Sequence, residues 1–267
     1  MDTISLIFLA AFSIMLLSLV GVISIQATIG RRIYANLPYL VSFAAGVLLL
    51  SAVYLIVESI DLLGSLLIAM ALVLIGYTLV QAIKQVWPQF HHHHDSECEV
   101  THSSGKRILI ADGIHNVADG LVLVPAFLAS PWVGFGVFIS IATHELLQEL
   151  SEFFILRQAG YSTTKALLYN FAVSSTILIG VVLGLFFTQT TYLQGLLLAL
   201  SAGFFINIVL HDLLPHHHHL SKKSIITHLA MISIGMVLIA GINQLFEHSH
   251  FNEGEDNHEH NSQHSDI

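Results

Sequence analysis

The chain has 267 residues, of which 54% are hydrophobic and only 10% charged, with a mean hydropathy of +0.75 and a formal net charge of −9. This composition excludes a water-soluble globular protein and a disordered one, and the acidic balance argues against nucleic acid as a partner. One cysteine, Cys98, excludes an internal disulfide.

Apolar stretches long enough to span a bilayer, about 20 residues each, recur from end to end. Eight are legible: 4–26, 37–58, 64–86, 107–128, 132–156, 164–187, 192–214 and 224–246. The expected fold class is an all-α membrane protein, a single domain over 1–267 with eight transmembrane helices in a lipid bilayer. The first stretch follows Met1-Asp2-Thr3 with no basic residue ahead of it, and so reads as a spanning helix rather than a cleaved leader. A small-residue face on the second, Ala44-Ala45-Gly46, permits close helix packing and a homodimer.

After the third stretch comes a polar segment, 87–106, with His91–His94, Asp95, Glu97, Cys98, Glu99 and then Ser103-Ser104-Gly105. A second His run, His216–His219, follows Pro215 between the seventh and eighth stretches. The tail 247–267 holds five His and six acids. Such tracts read as disordered, metal-sequestering segments. The turns expected at 59–63, 129–131 and 188–191 are short, so their flanking helices are antiparallel neighbours.

The nine basic residues settle orientation. Arg31, Arg32, Lys84, Lys106, Arg107, Arg157, Lys165, Lys222 and Lys223 all fall on one side of an eight-span arrangement. The positive-inside rule makes that side the cytoplasm and leaves both termini outside. The 87–106 loop is then cytoplasmic and the tail external.

The fourth and fifth stretches carry the chemistry. The fourth holds His115-Asn116-Val117-Ala118-Asp119, and the fifth holds His144-Glu145-Leu146-Leu147-Gln148-Glu149. Ionisable groups at bilayer depth are costly and so point to function. Positions i and i+4 share a helix face, so His115 pairs with Asp119 and His144 with Gln148. Facing each other across a tight hairpin bent by Pro125 and Pro131, the helices could build two layers. One offers His115, Asp119, His144 and Gln148; the other offers Asn116, Asp119, Glu145 and Gln148. Imidazole, carboxylate and amide without thiolate suit a divalent cation that is held and then released. Glu149 and Glu152 lie one and two turns further inward and either relay the ion or line its exit. Asp112 reads as a cap or vestibule residue. His228 reads as a bundle residue hydrogen-bonded to a carbonyl, and His211-Asp212 as an end site or a helix terminus.

These residues resemble the ZIP (Zrt/Irt-like) family of divalent-metal transporters. His115-Asn116-Val117-Ala118-Asp119-Gly120 is similar to its fourth-helix His-Asn-x-x-Asp/Glu-Gly motif. His144 through Phe153 resembles the His-Glu-x-Pro-His-Glu-x-Gly-Asp-Phe signature of the zinc-transporting LIV subfamily. Phe43 to Leu49, Asn170-Phe171 and Ser201 to Pro215 resemble its second, sixth and seventh helices. The resemblance implies a transport site of His115, Asn116, Asp119, His144, Glu145 and Gln148, with Glu149 beside it, and metal moving into the cytosol by alternating access. It also implies that helices two and seven sit across from four and five. Leu147, Gln148, Ser151 and Glu152 stand where the signature has Pro, His, Gly and Asp, and Tyr54 stands where the second helix has His.

The expected function is therefore inward transport of zinc across a plasma membrane, with no enzymatic activity; Fe²⁺, Mn²⁺ and Cd²⁺ share the same ligand chemistry. Two other readings stay open. An intramembrane zinc hydrolase would use His-Glu-x-x-His, whose second His is absent here. A metal sensor that has lost transport would fit the departures at Leu147, Gln148 and Tyr54. A third, a cation-diffusion exporter, expects about six spans and a soluble C-terminal domain, and the eight stretches and acidic tail weigh against it.

Overall fold

A computed structural model describes residues 2–20, 27–86, 102–214 and 222–262. The runs His91–His94 and His216–His219, together with Cys98, lie outside the described residues, as do 263–267. Every described element is helical. Eight helical bodies follow in chain order. α1 is Thr3–Leu17, tightening into a 3₁₀ turn at Ser18–Val20. α2 is Ala27–Leu63, α3 is Leu66–Val86, α4 is His102–Ala129 and α5 is Pro131–Gln158. α6 is Thr163–Phe187, broken between Ser174 and Ile177. α7 is Thr191–Ile208, continued by a π turn at Val209–Leu213, and α8 is Lys222–Ser262.

Seven of these are long and apolar enough to cross a membrane. The exception is α5, at 28 residues ample in length. Its mean hydropathy is lowered by His144, Glu145, Gln148, Glu149 and Glu152, the residues that give it its chemistry.

Several ends differ from expectation, each for a local reason. α2 runs on to Leu63, and the chain reverses at Gly64, whose φ of 64° only glycine adopts without strain. Ser103-Ser104-Gly105 belong to the first turn of α4 rather than to a loop. α8 continues to Ser262, so the tail read as disordered is helical through that residue. It carries no proline to stop the helix begun at Lys222. α7 ends because Pro215 forces the preceding residue out of helical space: Leu214 is extended, with φ −72° and ψ 131°. The turns at Ser130 and before Thr191 fall where expected. Ser130 caps α5 by accepting from the Trp132 amide at 3.3 Å, with Pro131 in the first helical position, where a missing N–H costs nothing.

The helices form two groups. α2 packs on α7, α3 on α7 and α8 on α2; α4 packs on α5 and α6, with α1 against α5. The groups meet where α2 faces α5 and α7 faces α4, as the family resemblance implies. α2, α4 and α7 are central, half of each apolar window being buried, whereas only 17% of α3 and α8 is. The core between them is built from Leu48, Leu55, Leu123, Ile141, Leu198 and Phe205.

Lipid offers no hydrophobic drive between helices, so close backbone approach must supply the packing. Reciprocal glycines do this at three pairs. Gly46 meets the Ile232 carbonyl of α8 while Gly235 meets that of Phe43. Gly76 and Gly203 seat α3 against α7, and Gly120 and Gly180 seat α4 against α6 in the same way. At each position an added methyl would overlap backbone on the opposite helix. Of the Ala44-Ala45-Gly46 face, Gly46 is used within the chain against α8 and Ala44 packs with Leu147 of α5.

Gly180→Ala, with backbone in its way, is expected to destabilise by at least about 2 kcal/mol. Gly241→Ala, with open space around it, should cause no loss. Thermal unfolding of both purified variants, followed by size-exclusion chromatography, checks this.

Candidate metal site

α4 and α5 are held as a tight hairpin. Gly134, early in α5, packs directly on the Phe127 ring near the end of α4. Pro125, inside α4, leaves a backbone hydrogen bond unmade one turn earlier. α5 itself is continuous through Leu147, as expected for a chain lacking proline there.

The hairpin brings together His115 and Asp119 from α4 with His144 and Glu145 from α5. One ligand atom from each lies within 4.8 Å of the others. The two Nε2 atoms are 3.3 Å apart. His144 Nε2 stands 3.2 Å from Asp119 Oδ2 and 3.6 Å from Glu145 Oε1. His115 Nε2 stands 3.8 Å and 3.4 Å from the same two oxygens. A tetrahedral Zn²⁺ with bonds of about 2.0–2.1 Å separates its ligand atoms by roughly 3.3–3.4 Å. The five separations, 3.2–3.8 Å, lie at or slightly beyond the edges of such a tetrahedron.

The outer atoms support the same reading. His144 Nδ1 lies 2.9 Å from the Ser140 carbonyl, which can only accept, so that nitrogen carries the proton. In the neutral ring Nε2 then turns its lone pair toward the carboxylates, an arrangement complementary to a cation and to little else. A backbone carbonyl fixing a ligand's tautomer is the usual support of a metal-binding histidine. Asp119, His144 and Glu145 are buried and His115 partly so, and Phe205 of α7 closes the site with its ring 6.4 Å from that of His144.

The other expected ligands form a second group, further along both helices. Asn116 Nδ2 donates to Asp112 Oδ1 at 3.0 Å, and Gln148 Nε2 donates to the same oxygen at 2.6 Å. Glu145, not Gln148, therefore completes the first quartet, because the Gln148 amide is directed at Asp112. Glu149 and Glu152 are buried nearby on α5. Asn170 of α6 donates to the Glu149 carbonyl at 3.0 Å.

Buried oxygens without a hydrogen-bond partner mark where a cation fits. Among the described residues they belong to Asp112, Asn116, Glu145, Glu149, Glu152, Asn170 and Ser174, all on α4, α5 and α6. The only ion-pair partners of the five buried carboxylates, again among the described residues, are His115 and His144.

Asp112 is neither cap nor vestibule; it lies inside α4 and is 2% exposed. Its spacing of four from Asn116 was the available signal. Asn170 and Ser174, also four apart, face the same interior from α6. His228 bonds the Ser42 hydroxyl through Nδ1 at 2.7 Å, tying α8 to α2 through a side chain rather than a carbonyl. His211 pairs with the Tyr77 hydroxyl at 2.9 Å in the π turn that ends α7.

Replacing a residue that hydrogen-bonds a metal ligand typically costs 10–100-fold in affinity, so removing a ligand should cost more. Asp119→Ala is expected to weaken Zn²⁺ binding by at least about 100-fold in a protein that still folds, measured by titration in detergent. Asp112→Ala should weaken it less, while destabilising by about 1–3 kcal/mol through the stranded Gln148 amide; Asn116 keeps the Asp112 backbone carbonyl as acceptor at 3.2 Å.

The sequence matches the family described as ZIP Zinc transporter over residues 104–243, from the first turn of α4 into α8. It is similar to zinc transporter foi of Drosophila melanogaster, 32% identical over 139 residues, covering 51% of this chain and 20% of that protein. Zinc transporter ZIP10 of Danio rerio is 31% identical over 140 residues, 51% of this chain and 16% of that one. Metal cation symporter ZIP14 of Xenopus tropicalis is 33% identical over 116 residues, 43% and 25% respectively. The chain thus spans a quarter or less of each of these relatives.

Proposed function

The chain belongs to the ZIP zinc-transporter family, and from that premise we propose that it carries a divalent cation, zinc foremost, across the membrane through the α4–α5 site. It is a multi-pass integral membrane protein. The observation that carries the proposal is the quartet His115, Asp119, His144 and Glu145, with separations suited to tetrahedral coordination on two neighbouring helices.

Two imidazoles and two carboxylates bind zinc well, yet without thiolates they release it. A structural site needs no release. The same donors accept Fe²⁺, Mn²⁺ and Cd²⁺. From the quartet the ion passes to the oxygens of Asn116, Glu145 and Glu149, which lack hydrogen-bond partners, and leaves along Glu152. With the basic ends of the helices in the cytoplasm of a plasma membrane, this direction is inward.

All these ligands lie on α4 and α5, in one of the two helical groups. Alternating access follows if that group shifts against α2 and α7, moving the site as a unit. Leu147 packs on Leu37 and Ala44 of α2 and gives that boundary an apolar, slidable contact.

The hydrolase reading loses its base. Glu145 Oε1 lies 3.4 Å and 3.6 Å from the two imidazole nitrogens, so it serves as a ligand rather than as a free carboxylate activating water. No enzymatic role is proposed.

Uptake of zinc into proteoliposomes holding a fluorescent chelator tests the proposal. Wild type is expected to fill the vesicles, and His144→Ala to leave no flux above empty liposomes. Tight binding by well-folded wild type without uptake would overturn transport in favour of a sensor. Gln148→His adds an imidazole at the second layer; it should tighten zinc retention and slow turnover in the same vesicles.

A further inference from the structure

A cavity of about 710 Å³ opens where the first turns of α4 and α6 meet the α5–α6 turn. Lys106 and Lys165 stand on its walls, with Tyr161, Ser162, Tyr169 and Ile110. No carboxylate lines it, and neither lysine has an ion-pair partner among the described residues. A third cation stands at its rim: Arg157 is exposed and donates from Nη1 to the Tyr161 carbonyl at 2.6 Å.

The depth of the cavity decides what fits it. The apolar span of α4 begins at Ile108 and that of α6 at Thr163. The two ammonium groups thus sit at the junction of hydrocarbon and water, at the end of the bundle where the basic residues collect. The tyrosine rings, edge to face at 5.6 Å, occupy the depth preferred by interfacial aromatics. Just below, Ile110 and Leu168 are 54% and 60% exposed, facing where acyl chains lie. Cations above, aromatic rings between and open apolar surface beneath complement a whole phospholipid, not a small anion.

The geometry points to a binding site for an anionic phospholipid, its headgroup phosphate between Lys106 and Lys165 and its chains along Ile110 and Leu168. Basic pockets between membrane helices on the cytoplasmic side bind such headgroups, and each lysine near the surface contributes about fivefold in affinity. The lipid would tether the start of α4 to the start of α6, the two helices that flank the second group of buried oxygens. The inference rests on membrane embedding alone and stands whether or not the chain transports metal.

Native mass spectrometry of the full chain in detergent tests it, with phosphatidylglycerol and phosphatidylcholine of identical chains as probes. One phosphatidylglycerol is expected to be retained in preference to phosphatidylcholine. Lys106→Ala/Lys165→Ala should lose roughly 25-fold, Lys165→Ala alone about fivefold, and Lys106→Arg/Lys165→Arg little. A monodisperse size-exclusion profile and an unchanged thermal unfolding midpoint report that each variant is folded. Equal retention of the two lipids, or undiminished binding by folded alanine variants, would overturn the site. So would displacement of the lipid by millimolar inorganic phosphate, which would mean that the lysines read a free anion.

Discussion

Five carboxylates, those of Asp112, Asp119, Glu145, Glu149 and Glu152, are buried in helices that must live in hydrocarbon, with two imidazoles as their only ion-pair partners among the described residues. One ionised group at bilayer depth costs about 2.5–3.5 kcal/mol even on lenient scales. Five together would cost about as much as the whole stability of a very stable domain, at the top of the usual range of about 5–15 kcal/mol. A divalent cation at the proposed quartet would give Asp119 and Glu145 a partner at bonding distance and ease that cost. The rest of the bundle can be read as what is needed to hold those oxygens apart from lipid and near one another.

That enclosure depends on how closely the helices approach. The acids on α4 and α5 are shut in on one side by α6, and Gly120 and Gly180 let α6 lie with its backbone against α4. The break in α6 serves the same end: the Thr176 hydroxyl donates to the Gly113 carbonyl of α4 at 2.9 Å. Asn170 and Ser174 are thereby carried to the level of Glu149. On the opposite side α7 and α2 supply Phe205 and Ser51, the latter hydrogen-bonded to Ser140 at 2.5 Å. Ser140 is also the residue whose carbonyl orients His144, so the boundary between the two helical groups runs one residue from the proposed site's support.

Much of this was legible in the chain itself. Period and length give the helices, and the i, i+4 rule places His115 with Asp119 without any structure. What the rule cannot give is the rotation of α5 about its axis. His144 and Glu145 lie about 100° apart around a helix, and which of Glu145 or Gln148 joins His144 depends on the hairpin at Ser130. The helix ends failed where the chain offered only negative signals, as at the overrun of α2 to Gly64 and of α8 to Ser262. Asp112 is only half legible: its spacing of four from Asn116 is a local pattern, but its second partner, Gln148, lies 36 residues away on another helix.

The departures from the LIV signature acquire a physical meaning in this light. Gln148 stands where the family has a histidine, and a glutamine cannot offer both ends of its amide to a cation. Its nitrogen is committed to Asp112, so only its oxygen remains as a donor. The quartet does not suffer, because Glu145 fills the tetrahedral vertex from the neighbouring position. Leu147 replaces the proline and completes a continuous α5, while its side chain covers Leu37 and Ala44 of α2. Both substitutions therefore leave the four-ligand geometry intact and alter its surroundings: a neutral amide on the inward side and an unbroken, apolar face toward the other helical group. Under the proposed transport role, a change confined to those places would bear on how readily an ion moves on rather than on whether the four residues can gather around it.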